Sequence, residues 1–407
     1  MRLAVVSPFV DRRHGTERVL AEVLERLAGK YGCEIHLYAQ RVEDLALARS
    51  AVSNGEQSGG IIWHKVPRLP GPHLLGYLWW YFFNQTLRWF HRRFRSLRYD
   101  LVFSPGINCP DADAIVAHIV FREFFRLVHE ELRLRSTALR SWPIILHRNL
   151  YYRLIMALEN RIYRNPRVAL AAVSRLTAGE ITSHFARSDV TVIPNAVDLS
   201  RFNLHERLRR RAPSREALKF SQQDFVLLLV GNDWKKKGLP TLINAVAALP
   251  EFPLRVLVAG RDNRAPFLAH IRSLNQEGRV LFAESSADVM QFYAAADVYA
   301  GPSLHDSFAL PPIEAMASGL PVITSVNNGG SQIITEGVDG FILNNPGDSA
   351  ALAPLVRRLY QHPDLCRGVG ENAARTALSY TWERTASETW EFLKQASARK
   401  SSSQRRP

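Results

Sequence analysis

The chain has 407 residues, of which 46% are hydrophobic and 22% are charged. This composition is typical of a soluble globular protein, and the length suits two domains of about 200 residues each. No stretch reaches the roughly 18 apolar residues of a membrane span, which excludes an integral membrane helix. The formal net charge is +14; nucleic acid, an anionic bilayer and a phosphorylated substrate all fit it, so charge alone does not choose among them.

The first residues, MRLAVVSPF, predict a buried strand rather than a signal peptide, because the apolar run is short. Residues 16–32 predict a helix with one apolar face that ends at a glycine. The three cysteines are widely spaced and fit no disulfide or metal pattern, which indicates a reducing compartment. Further strands of the first half are predicted at residues 33–39, 61–66, 100–106, 114–120, 167–174 and 190–198.

The alternation of strand and helix restarts in the second half. Strands are predicted at residues 225–232, 254–260, 279–283, 297–303 and 321–325, and helices from Leu239, Pro266, Ala287 and Pro311. Near-continuous apolar strands that alternate with helices favour two parallel, doubly wound sheets. The polar segment 203–216 is interpreted as the boundary between them, and residues 398–407 are predicted to be a disordered basic tail.

Residues 305–324, HDSFALPPIEAMASGLPVIT, contain two carboxylates in a region without Lys or Arg from residue 301 to 350. Pro311 and Pro312 suit the first turn of a helix, so Glu314 is predicted in that turn and Asp306 in the loop before it. That loop follows a parallel strand, at the sheet edge where open α/β sheets bind ligands.

Unpaired N–H groups of Phe308, Ala309 and Leu310 are expected to face an anion, helped by the helix dipole. The stretch therefore predicts a phosphate cradle flanked by two acceptors for hydroxyl groups, which is the layout of a sugar nucleotide. The alternative is an ordinary helix-start carboxylate and an ordinary loop aspartate.

Five segments resemble glycosyltransferase family 4, and among its members the bacterial lipopolysaccharide-core and polysaccharide types. Residues 306–314 resemble its D/E-x7-E motif, and LLVGNDWKKKGLPTLINA resembles its G-R-x4-K-G phosphate segment. HGTERVLAEVL resembles its N-terminal glycine-rich turn and helix. The segment VSRLTAGEI to VIPNAVDLSRF resembles the end of its first domain, and YTWERTASETWEFL its terminal helix.

The resemblance implies the GT-B fold, in which two Rossmann-like domains face each other across a cleft. Residues 1–200 would then bind the acceptor and residues 201–378 the nucleotide sugar, while residues 379–397 would form a helix that crosses back to the first domain. It also implies that configuration at the anomeric carbon is retained.

The resemblance also implies roles for single residues. Glu314 would hold the ribose diol, and Asp306 the hexose hydroxyls. Lys237 would lie against the diphosphate, and Gly15 would let the backbone approach the donor. Lys237 has an independent rationale, because an ammonium after a strand end and beside a helix start favours an anion. The alternative for residues 235–237 is a solvated charge run.

Two positions depart from the family pattern. Asn232 stands where the phosphate segment usually has an arginine, and Lys236 or Lys235 would supply the missing cation. His14 stands where the N-terminal turn often has its first glycine, which narrows the freedom of the backbone. His118, after the strand 114–117, matches a position where relatives often carry a histidine near the transferred sugar; the alternative is a core histidine.

No D-x-D pair suits a metal against the diphosphate, because residues 111–113, DAD, lie in the first domain. We therefore expect metal-independent transfer and no cofactor. Lys237 and the helix N–H groups would stabilise the departing diphosphate, and a leaving phosphate oxygen is expected to take the proton of the acceptor.

Residues 73–98 carry nine aromatic side chains, among them Trp79 and Trp80, followed by and interleaved with arginines. Arg88, Arg92 and Arg93 are predicted to meet anionic headgroups at a bilayer surface, or else to point outward from a helix whose rings lie in the core. A second basic-aromatic stretch, residues 121–136, falls where this fold usually receives the acceptor.

The sequence therefore predicts a hexosyltransferase that uses a nucleotide-diphosphate sugar, with UDP-sugar favoured and GDP-mannose next. Its acceptor is expected to be a membrane-associated glycolipid or a polysaccharide or lipopolysaccharide. The chain itself is expected to be cytoplasmic and peripherally associated with the inner face of the cytoplasmic membrane. The alternatives are a sugar-nucleotide epimerase of the same architecture, a non-catalytic sugar-nucleotide sensor, and a nucleic-acid-binding protein; no RNA-reading motif supports the last.

Overall fold

The computed structural model of the chain describes residues 1–47, 59–128, 142–284, 286 and 288–404. The chain forms two compact units. The first comprises Met1–Pro194 and the chain from Glu383 onward, and the second comprises Asn195–Trp382.

The first unit is built on a parallel sheet of seven strands in the order β5-β3-β1-β6-β7-β8-β9. Its central strands are almost wholly buried, with Val5 opposite both Leu37 and Phe103, as expected where helices cover both faces. Its elements are β1 (Arg2–Val6), β2 (Phe9–Val10), α1 (Gly15–Gly29), β3 (Glu34–Ala39), β4 (Arg41–Val42), β5 (Gly60–Lys65), α2 (His73–Phe94), β6 (Leu101–Ser104), β7 (Ala114–Ala117), α3 (Phe121–Val128), α4 (Trp142–Tyr163), β8 (Ala169–Ala172), α5 (Arg175–Phe185) and β9 (Val190–Val192). Strands β2 and β4 form a separate short pair.

The second unit is built on a parallel sheet of six strands in the order β12-β11-β10-β13-β14-β15. Its elements are α6 (Leu204–Ala217), β10 (Phe225–Val230), α7 (Leu239–Ala247), β11 (Leu254–Ala259), α8 (Ala265–Ser273), β12 (Val280–Ala283), α9 (Met290–Ala295), β13 (Val298–Ala300), α10 (Leu310–Ala317), β14 (Val322–Ser325), β15 (Phe341–Leu343), α11 (Ser349–Gln361) and α12 (Pro363–Ala377). Short 3-10 turns lie at Glu277–Arg279 and Gly329–Ile333. The core lies between β10, β11, β13 and the helices α7, α8, α11 and α12.

The C-terminal helix α13 (Trp382–Gln404) joins the first unit. Arg26 of α1 donates to Glu383 at 2.9 Å, and the rings of Tyr31 and Trp390 stack with centroids 5.3 Å apart. Lys400 donates to Asp113 at 2.8 Å. The helix thus continues through residues 398–404, so the predicted disorder of the tail is wrong for that part, and residues 405–407 lie outside the described residues.

The parallel, doubly wound character of both sheets is confirmed, and so is every predicted strand. The segment 203–216 is not a linker, because it forms α6 inside the second unit. Its arginines are held by packing against α9: Arg210 donates to Asp288 at 2.7 Å, and the buried Arg215 donates to the carbonyl of Ala295 at 3.0 Å.

Three predicted helix starts move by one to three residues, to Ala265, Met290 and Leu310, and the predicted start Ala287 lies outside the described residues. Helices α4, α11 and α12 and strand β15 had no prediction.

Candidate functional site

The candidate site of the second unit lies at the carboxyl ends of β10, β13 and β14, which are neighbours in the sheet. The strand order reverses between β10 and β13, so the chain leaves these two strands toward opposite sides. In open α/β sheets the crevice at such a reversal is where ligands bind.

Lys237 and Asp306 meet across this reversal. The ammonium of Lys237, in the loop after β10, donates to a carboxylate oxygen of Asp306, in the loop after β13. The side chains are 16% and 20% exposed. The two predicted residues, 69 positions apart in sequence, are therefore brought together, and the cation missing from the sequence around Asp306 comes from this strand end.

Two glycines let the loop after β10 make this approach. Gly238 has a φ of +85°, and a Cβ there would lie 2.2 Å from the carbonyl oxygen of Pro302. Gly231 has a φ of +135°, and a Cβ there would lie 3.1 Å from Cε of Lys237. Both positions need a conformation that other residues rarely adopt; Gly238 also lies against the backbone of Pro302, and Gly231 against the side chain of Lys237. The loop can therefore hold Lys237 against the loop after β13.

Asn328, which sequence reasoning missed, fixes the loop that carries Asp306. The backbone of Asp306 donates to Asn327 at 2.9 Å and accepts from Gly329 at 2.8 Å. The buried side-chain oxygen of Asn328 accepts from the N–H groups of Ala309 at 3.3 Å and Gly330 at 2.9 Å. The only sequence signal for it is an Asn-Gly-Gly turn directly after β14.

Helix α10 begins at Leu310, one residue earlier than predicted, so Glu314 lies in its second turn rather than its first. The N–H of Ala309 is occupied by Asn328, which corrects the prediction that it faces an anion. The N–H groups of Phe308 and Leu310 make no hydrogen bond within the part of the chain that the structure describes. Two of the three predicted donors are therefore available to a ligand.

Glu314 is buried, and its Oε2 accepts from the hydroxyl of Tyr293 at 2.7 Å. Tyr299, in the middle of β13, is influenced by the charges of both carboxylates. Burial raises its pKa, and the negative charges of Asp306 and Glu314 raise the pKa further. Both carboxylates of the motif therefore lie within electrostatic reach of one buried hydroxyl.

Asn232 makes a hydrogen bond within the protein: its side-chain oxygen accepts from the N–H of Arg261 at 2.9 Å. Lys236 is paired with Asp233 at 2.8 Å. The hydrogen bond of Asn232 joins the loop after β10 to the loop after β11, and a second bond from the N–H of Trp234 to Asp262, at 2.8 Å, reinforces it. The prediction that Lys236 or Lys235 supplies the cation that replaces the family arginine stays a prediction.

A polar cavity of about 550 Å³ opens beside these joined loops. It lies at the carboxyl ends of β11 and β12, and its lining includes Arg261, Asp262, Arg264 and Glu284. Arg264 is also placed over the ring of Phe282, 5.9 Å from its centroid. The cavity extends the ligand-binding edge of the sheet on the side away from β13.

In the first unit, Gly15 is the first residue of α1, and a Cβ there would meet no atom within 4 Å. The space a close backbone approach requires is therefore present. His14 has an extended backbone, with φ of −106° and ψ of 147°, so the turn does not need a glycine at this position.

His118 follows β7 directly, at the carboxyl edge of the first sheet, as predicted. Burial lowers its pKa to about 4, so the imidazole is neutral at pH 7. A neutral ring at a strand end can donate or accept a hydrogen bond, and its predicted contact with the sugar stays a prediction.

Two of the predicted membrane residues of α2 are not on the surface. Arg88 is 2% exposed, and its guanidinium donates to both oxygens of Asp111, each at 2.8 Å. Trp80 is 2% exposed and belongs to the core. The helix therefore turns these two positions inward, and the prediction that they meet headgroups is wrong.

Other predicted residues of α2 do face outward or half outward. Arg92 and Arg93 are exposed. Trp79 is partly buried; its indole donates to the carbonyl of Pro67 at 2.8 Å, and its ring stacks on Phe83 at 4.7 Å. Of the predicted acceptor stretch 121–136, residues 129–136 lie outside the described residues.

The carboxylates of the DAD segment have structural partners. Asp111 is held by Arg88, and Asp113 accepts from the N–H of Val102 and from Lys400, each at 2.8 Å. Within the described ranges, no group of three or more His, Cys, Asp or Glu side chains is arranged to hold a metal ion. In the same ranges, no helix is both long and apolar enough to cross a bilayer.

Two family models match the chain in succession. The model described as Glycosyltransferase Family 4 matches residues 13–201, and the model described as Glycosyl transferases group 1 matches residues 210–376. Together the two matches span most of both units. The chain belongs to glycosyltransferase family 4.

Relatives of this family-4 chain include the putative glycosyltransferase EpsD of Bacillus subtilis, 32% identical over 43% of this chain and 46% of that protein. The lipopolysaccharide glucosyltransferase WaaG of Escherichia coli is 31% identical over 38% of this chain and 42% of that protein. A D-inositol 3-phosphate glycosyltransferase of Corynebacterium urealyticum is 30% identical over 52% of each chain. This chain thus spans about half the length of the relatives that it matches.

Solved structures agree on the fold. The crystal structure of WaaG, described as a glycosyltransferase involved in lipopolysaccharide biosynthesis, matches with a TM-score of 0.74 at 19% identity, over 95% of this chain and 98% of that one. The Anabaena protein HepE in complex with UDP-glucose matches with a TM-score of 0.67 at 18% identity, over 98% of this chain and 100% of that one. The family-4 chain therefore has the GT-B fold.

Proposed function

We propose that this chain is a retaining hexosyltransferase. It would move a hexosyl group from a nucleotide-diphosphate sugar, with UDP-sugar favoured, to a membrane-associated glycolipid or saccharide. The single observation that supports this most is the contact of Lys237 with Asp306 at the strand-order reversal of the second sheet.

This ion pair suits a site that exchanges partners. An ammonium and a carboxylate that are only partly exposed need partners to offset their desolvation, and without ligand each is the partner of the other. A diphosphate that approached Lys237 would offer the ammonium stronger anionic acceptors. Asp306 would then be released to accept hydroxyl donors of the hexose, while its backbone hydrogen bonds to the carbonyl of Asn327 and from the N–H of Gly329 keep its backbone in place.

The departing diphosphate would be stabilised by groups already in position. Lys237 supplies charge, and the N–H groups of Phe308 and Leu310 supply dipoles at the start of α10. Hydrogen-bond donors that are already in place as charge develops usually make the largest single contribution to the rate enhancement in such reactions. We keep the prediction that transfer is metal-independent; activity that survives EDTA supports it, and activity restored only by Mg²⁺ or Mn²⁺ contradicts it.

We place the nucleoside part of the donor toward the polar cavity beside Arg261. UDP is favoured because the HepE structure with a closely similar fold is described as containing UDP-glucose, and GDP-mannose stays the next candidate. Glu314 is assigned to the ribose and Asp306 to the hexose.

Thermal unfolding with UDP-glucose, UDP-galactose and GDP-mannose tests donor binding, because a ligand of the native state raises the melting temperature. We expect a rise with one UDP-sugar and a smaller rise in Asp306→Asn, whereas Asp233→Asn, which changes a carboxylate of the neighbouring loop, keeps the full rise. Release of UDP with octyl glucoside and with water as acceptors tests transfer. An epimerised donor without free UDP would favour the epimerase, and binding without any turnover would favour the sensor.

We also propose that the first unit binds an anionic bilayer through α2 and α4. Large apolar side chains project from both helices. The exposed set comprises Leu75, Phe82, Trp89, Phe90 and Phe94 of α2 and Ile144, Leu146 and Leu150 of α4, several of them about 60% exposed.

The two helices that carry this set lie side by side. The N–H of Leu74 donates to His147 at 3.3 Å, and the rings of Tyr77 and Tyr151 are 5.8 Å apart. We call this set of exposed apolar residues, with Arg92 and Arg93, the α2–α4 surface.

Charge supports a bilayer as the occupant. Residues 59–99 contain no Asp or Glu, and the only acidic residue of α4, Glu159, is buried and accepts from the N–H groups of Phe121 and Arg122. Apolar rings with basic side chains and no exposed carboxylate fit an anionic headgroup layer, where each Arg contributes about 1 kcal/mol.

Flotation with vesicles of phosphatidylglycerol and phosphatidylcholine tests the α2–α4 surface. We expect Arg92→Glu with Arg93→Glu to reduce binding at least tenfold. The matched control, Arg357→Glu with Arg358→Glu on α11, changes the net charge equally and keeps binding. Equal binding to neutral vesicles, or an equal loss in the control, would contradict the proposal; a dimer that dissociates in the α2 variant would assign the surface to a second copy of the chain.

A further inference from the structure

Asn195, the first residue of the second unit, contacts the loop that the proposed function assigns to the diphosphate. Its side chain is buried, and Nδ2 donates to the carbonyl of Phe308 at 3.2 Å. The two residues are 113 positions apart in sequence. Neither the family resemblance nor the proposed function gives Asn195 a role.

This contact completes a clamp on one peptide group. Asn195 holds the carbonyl of Phe308, and the side-chain oxygen of Asn328 accepts from the N–H of Ala309 at 3.3 Å. That carbonyl and that N–H belong to the same planar peptide group. A buried asparagine therefore holds each end of the group, and the plane cannot rotate without the loss of both bonds. We call the two asparagines and this peptide group the peptide clamp.

The peptide clamp lies between the two N–H groups that remain for a ligand at the start of α10. A helix start usually offers several N–H groups to an anion. Here Leu310 is followed by Pro311 and Pro312, which have no N–H. In the part of the chain that the structure describes, the N–H groups of Phe308 and Leu310 make no hydrogen bond. With so few donors, the direction of each one matters.

The clamp restricts those directions. The relative orientation of the N–H groups of Phe308 and Leu310 depends on the torsion angles on both sides of the peptide between them. A peptide that is fixed at its oxygen and at its nitrogen limits these angles. The two donors therefore keep one arrangement before a ligand arrives, which is the condition for stabilising charge without reorganisation.

The backbone that carries Asn195 is itself fixed. The N–H of Val197 donates to the carbonyl of Tyr380 at 3.0 Å, and Ala196 and Val197 are buried. The amide of Asn195 thus reaches Phe308 from a held backbone.

Stability alone does not account for an asparagine at this position. Its side-chain oxygen is buried and has no hydrogen-bond partner among the described residues, which destabilises the folded state. A leucine of similar size would remove that unpaired atom, but it would leave the carbonyl of Phe308 without its donor. These two effects oppose each other, so what asparagine adds is the fixed orientation of the peptide.

We propose that Asn195 is a positioning residue for cleavage of the donor. Together with Asn328, it fixes the peptide group between Phe308 and Ala309, so that the N–H groups of Phe308 and Leu310 meet the diphosphate in one arrangement. This assignment rests on the proposed function.

The step that these donors stabilise is the loss of the diphosphate. The bond between the anomeric carbon and the diphosphate oxygen breaks, and its electron pair stays on that oxygen. The acceptor oxygen bonds the anomeric carbon, and its proton passes to a leaving phosphate oxygen. Negative charge therefore develops on the phosphate that the two N–H groups contact.

UDP and UDP-glucose differ in that same charge. A terminal phosphate has a second pKa of about 6, so near pH 8 UDP carries one more negative charge than UDP-glucose. Donors aimed at developing charge bind the more highly charged phosphate more tightly. Loss of their orientation should therefore weaken UDP binding more than UDP-glucose binding.

Isothermal titration calorimetry with UDP and with UDP-glucose near pH 8 tests the assignment. We expect Asn195→Leu to weaken UDP binding about tenfold and UDP-glucose binding less than about threefold, because misdirected donors keep only part of their effect. The melting temperature without ligand should change little. Asn195→Ala, whose smaller side chain cannot clash, should give the same ratio.

The matched control is Asn372→Leu. Asn372 also donates through Nδ2 to a backbone carbonyl of the second unit, that of Val338 at 2.8 Å. It lies on α12, away from the loop before α10. We expect this variant to bind UDP and UDP-glucose as the wild type does.

A double-mutant cycle tests the clamp itself. Because Asn195 and Asn328 hold the same peptide group, the loss of one should leave little for the other to fix. The loss of UDP affinity in Asn195→Ala with Asn328→Ala should be well below the product of the two single losses. Losses that multiply would contradict the clamp, because the two asparagines would then act independently.

The binding data also separate two failures. Asn195→Leu and Asn195→Ala variants that bind UDP as tightly as the wild type contradict the positioning role. Equal losses for UDP and UDP-glucose contradict it too, because the loop is then displaced as a whole. A wild-type chain that binds neither ligand contradicts the proposed function, and the positioning role falls with it.

Discussion

Each unit pairs a cation with an aspartate in the loop after the fourth strand of its sheet, and the two cations differ in exposure. The side chain of Lys237 is 16% exposed and that of Arg88 is 3% exposed, whereas their partners Asp306 and Asp111 are 20% and 39% exposed. Arg88 donates in addition to Asn84 at 2.9 Å. An accessible cation can change partners when an anion arrives, but an enclosed one cannot. The same topology thus supports binding at one edge and fastens a helix at the other.

The largest effect is expected from breaking the accessible pair. Lys237→Met should lower the rate of UDP release by about 10²- to 10³-fold, because one preorganised donor to the developing diphosphate charge is lost. Discontinuous assays of UDP release at saturating UDP-glucose measure this change in rate.

Lys236→Met is the matched control, since it removes a neighbouring lysine whose partner is Asp233 rather than Asp306. We expect it to change the rate less than fivefold. Equal losses in both variants would mean that general loop charge, and not the pair across the strand reversal, supports turnover.

The enclosed pair should respond in the opposite way. Arg88→Met should lower the free energy of unfolding of the first unit by roughly 2 to 3 kcal/mol, because Asp111 and Asn84 lose buried partners. UDP-glucose binding, which we place in the second unit, should be unchanged. Chemical denaturation monitored by hydrogen exchange in α2 measures the loss of unfolding free energy, with Arg93→Met as the exposed control.

The sequence predicted the region of Asp306 and Glu314 better than it predicted helix α2, and the difference has a physical reason. Asp306 lies in a loop and Glu314 in the second turn of a helix. The proline and strand signals around both residues are local, so the edge of the sheet where they lie was predictable. The contact of Lys237 with Asp306 was not deducible from periodicity, because it depends on the order of strands in space. Only the resemblance to a family assigned both residues to one ligand.

Burial on a two-sided helix was harder to predict. Helix α2 alternates rings and arginines around its whole circumference, so the sequence did not show which side faces the core. Arg88 and Trp80 were assigned to the wrong side, since nothing local marks Asp111 as the partner of Arg88. Asn328 was missed for a similar reason, because its role is to hold a loop distant in sequence.

Asn328 offers a smaller test of the accessible edge. Asn328→Ala should destabilise the second unit by about 1 to 2 kcal/mol, because the buried N–H groups of Ala309 and Gly330 lose their acceptor. The loop that carries Asp306 should then lose order, and the UDP-glucose melting-temperature rise should shrink. Asn327→Ala removes one side-chain hydrogen bond, to the carbonyl of Leu304 at 3.0 Å, and is expected to destabilise the second unit less. Equal destabilisation by both variants would contradict the assignment of loop fixation to Asn328.

The last effect concerns acid and separates the two units by pH. In the first unit, His36 bonds His64 at 2.8 Å, and burial lowers the pKa of both, that of His64 to about 3. Their carboxylate neighbour, Glu34, lies 2.9 Å from the other nitrogen of His36. The folded state therefore keeps His64 neutral, while the unfolded chain takes up a proton below pH 6.5.

Stability from this group is complete above pH 6.5 and is lost as the pH falls toward 3, with a slope of at most about 1.4 kcal/mol per pH unit. Hydrogen exchange in β3 and β5, corrected for intrinsic rates, should weaken between pH 6.5 and 4.5 before exchange in β10 and β11 does. His64→Phe should flatten this dependence, and His205→Gln, on the exposed side of α6, should not. The expected fall in stability comes from the neutral His36 and His64, which lie in β3 and β5. A parallel loss in both units would instead show that acid acts through charge spread over the whole chain.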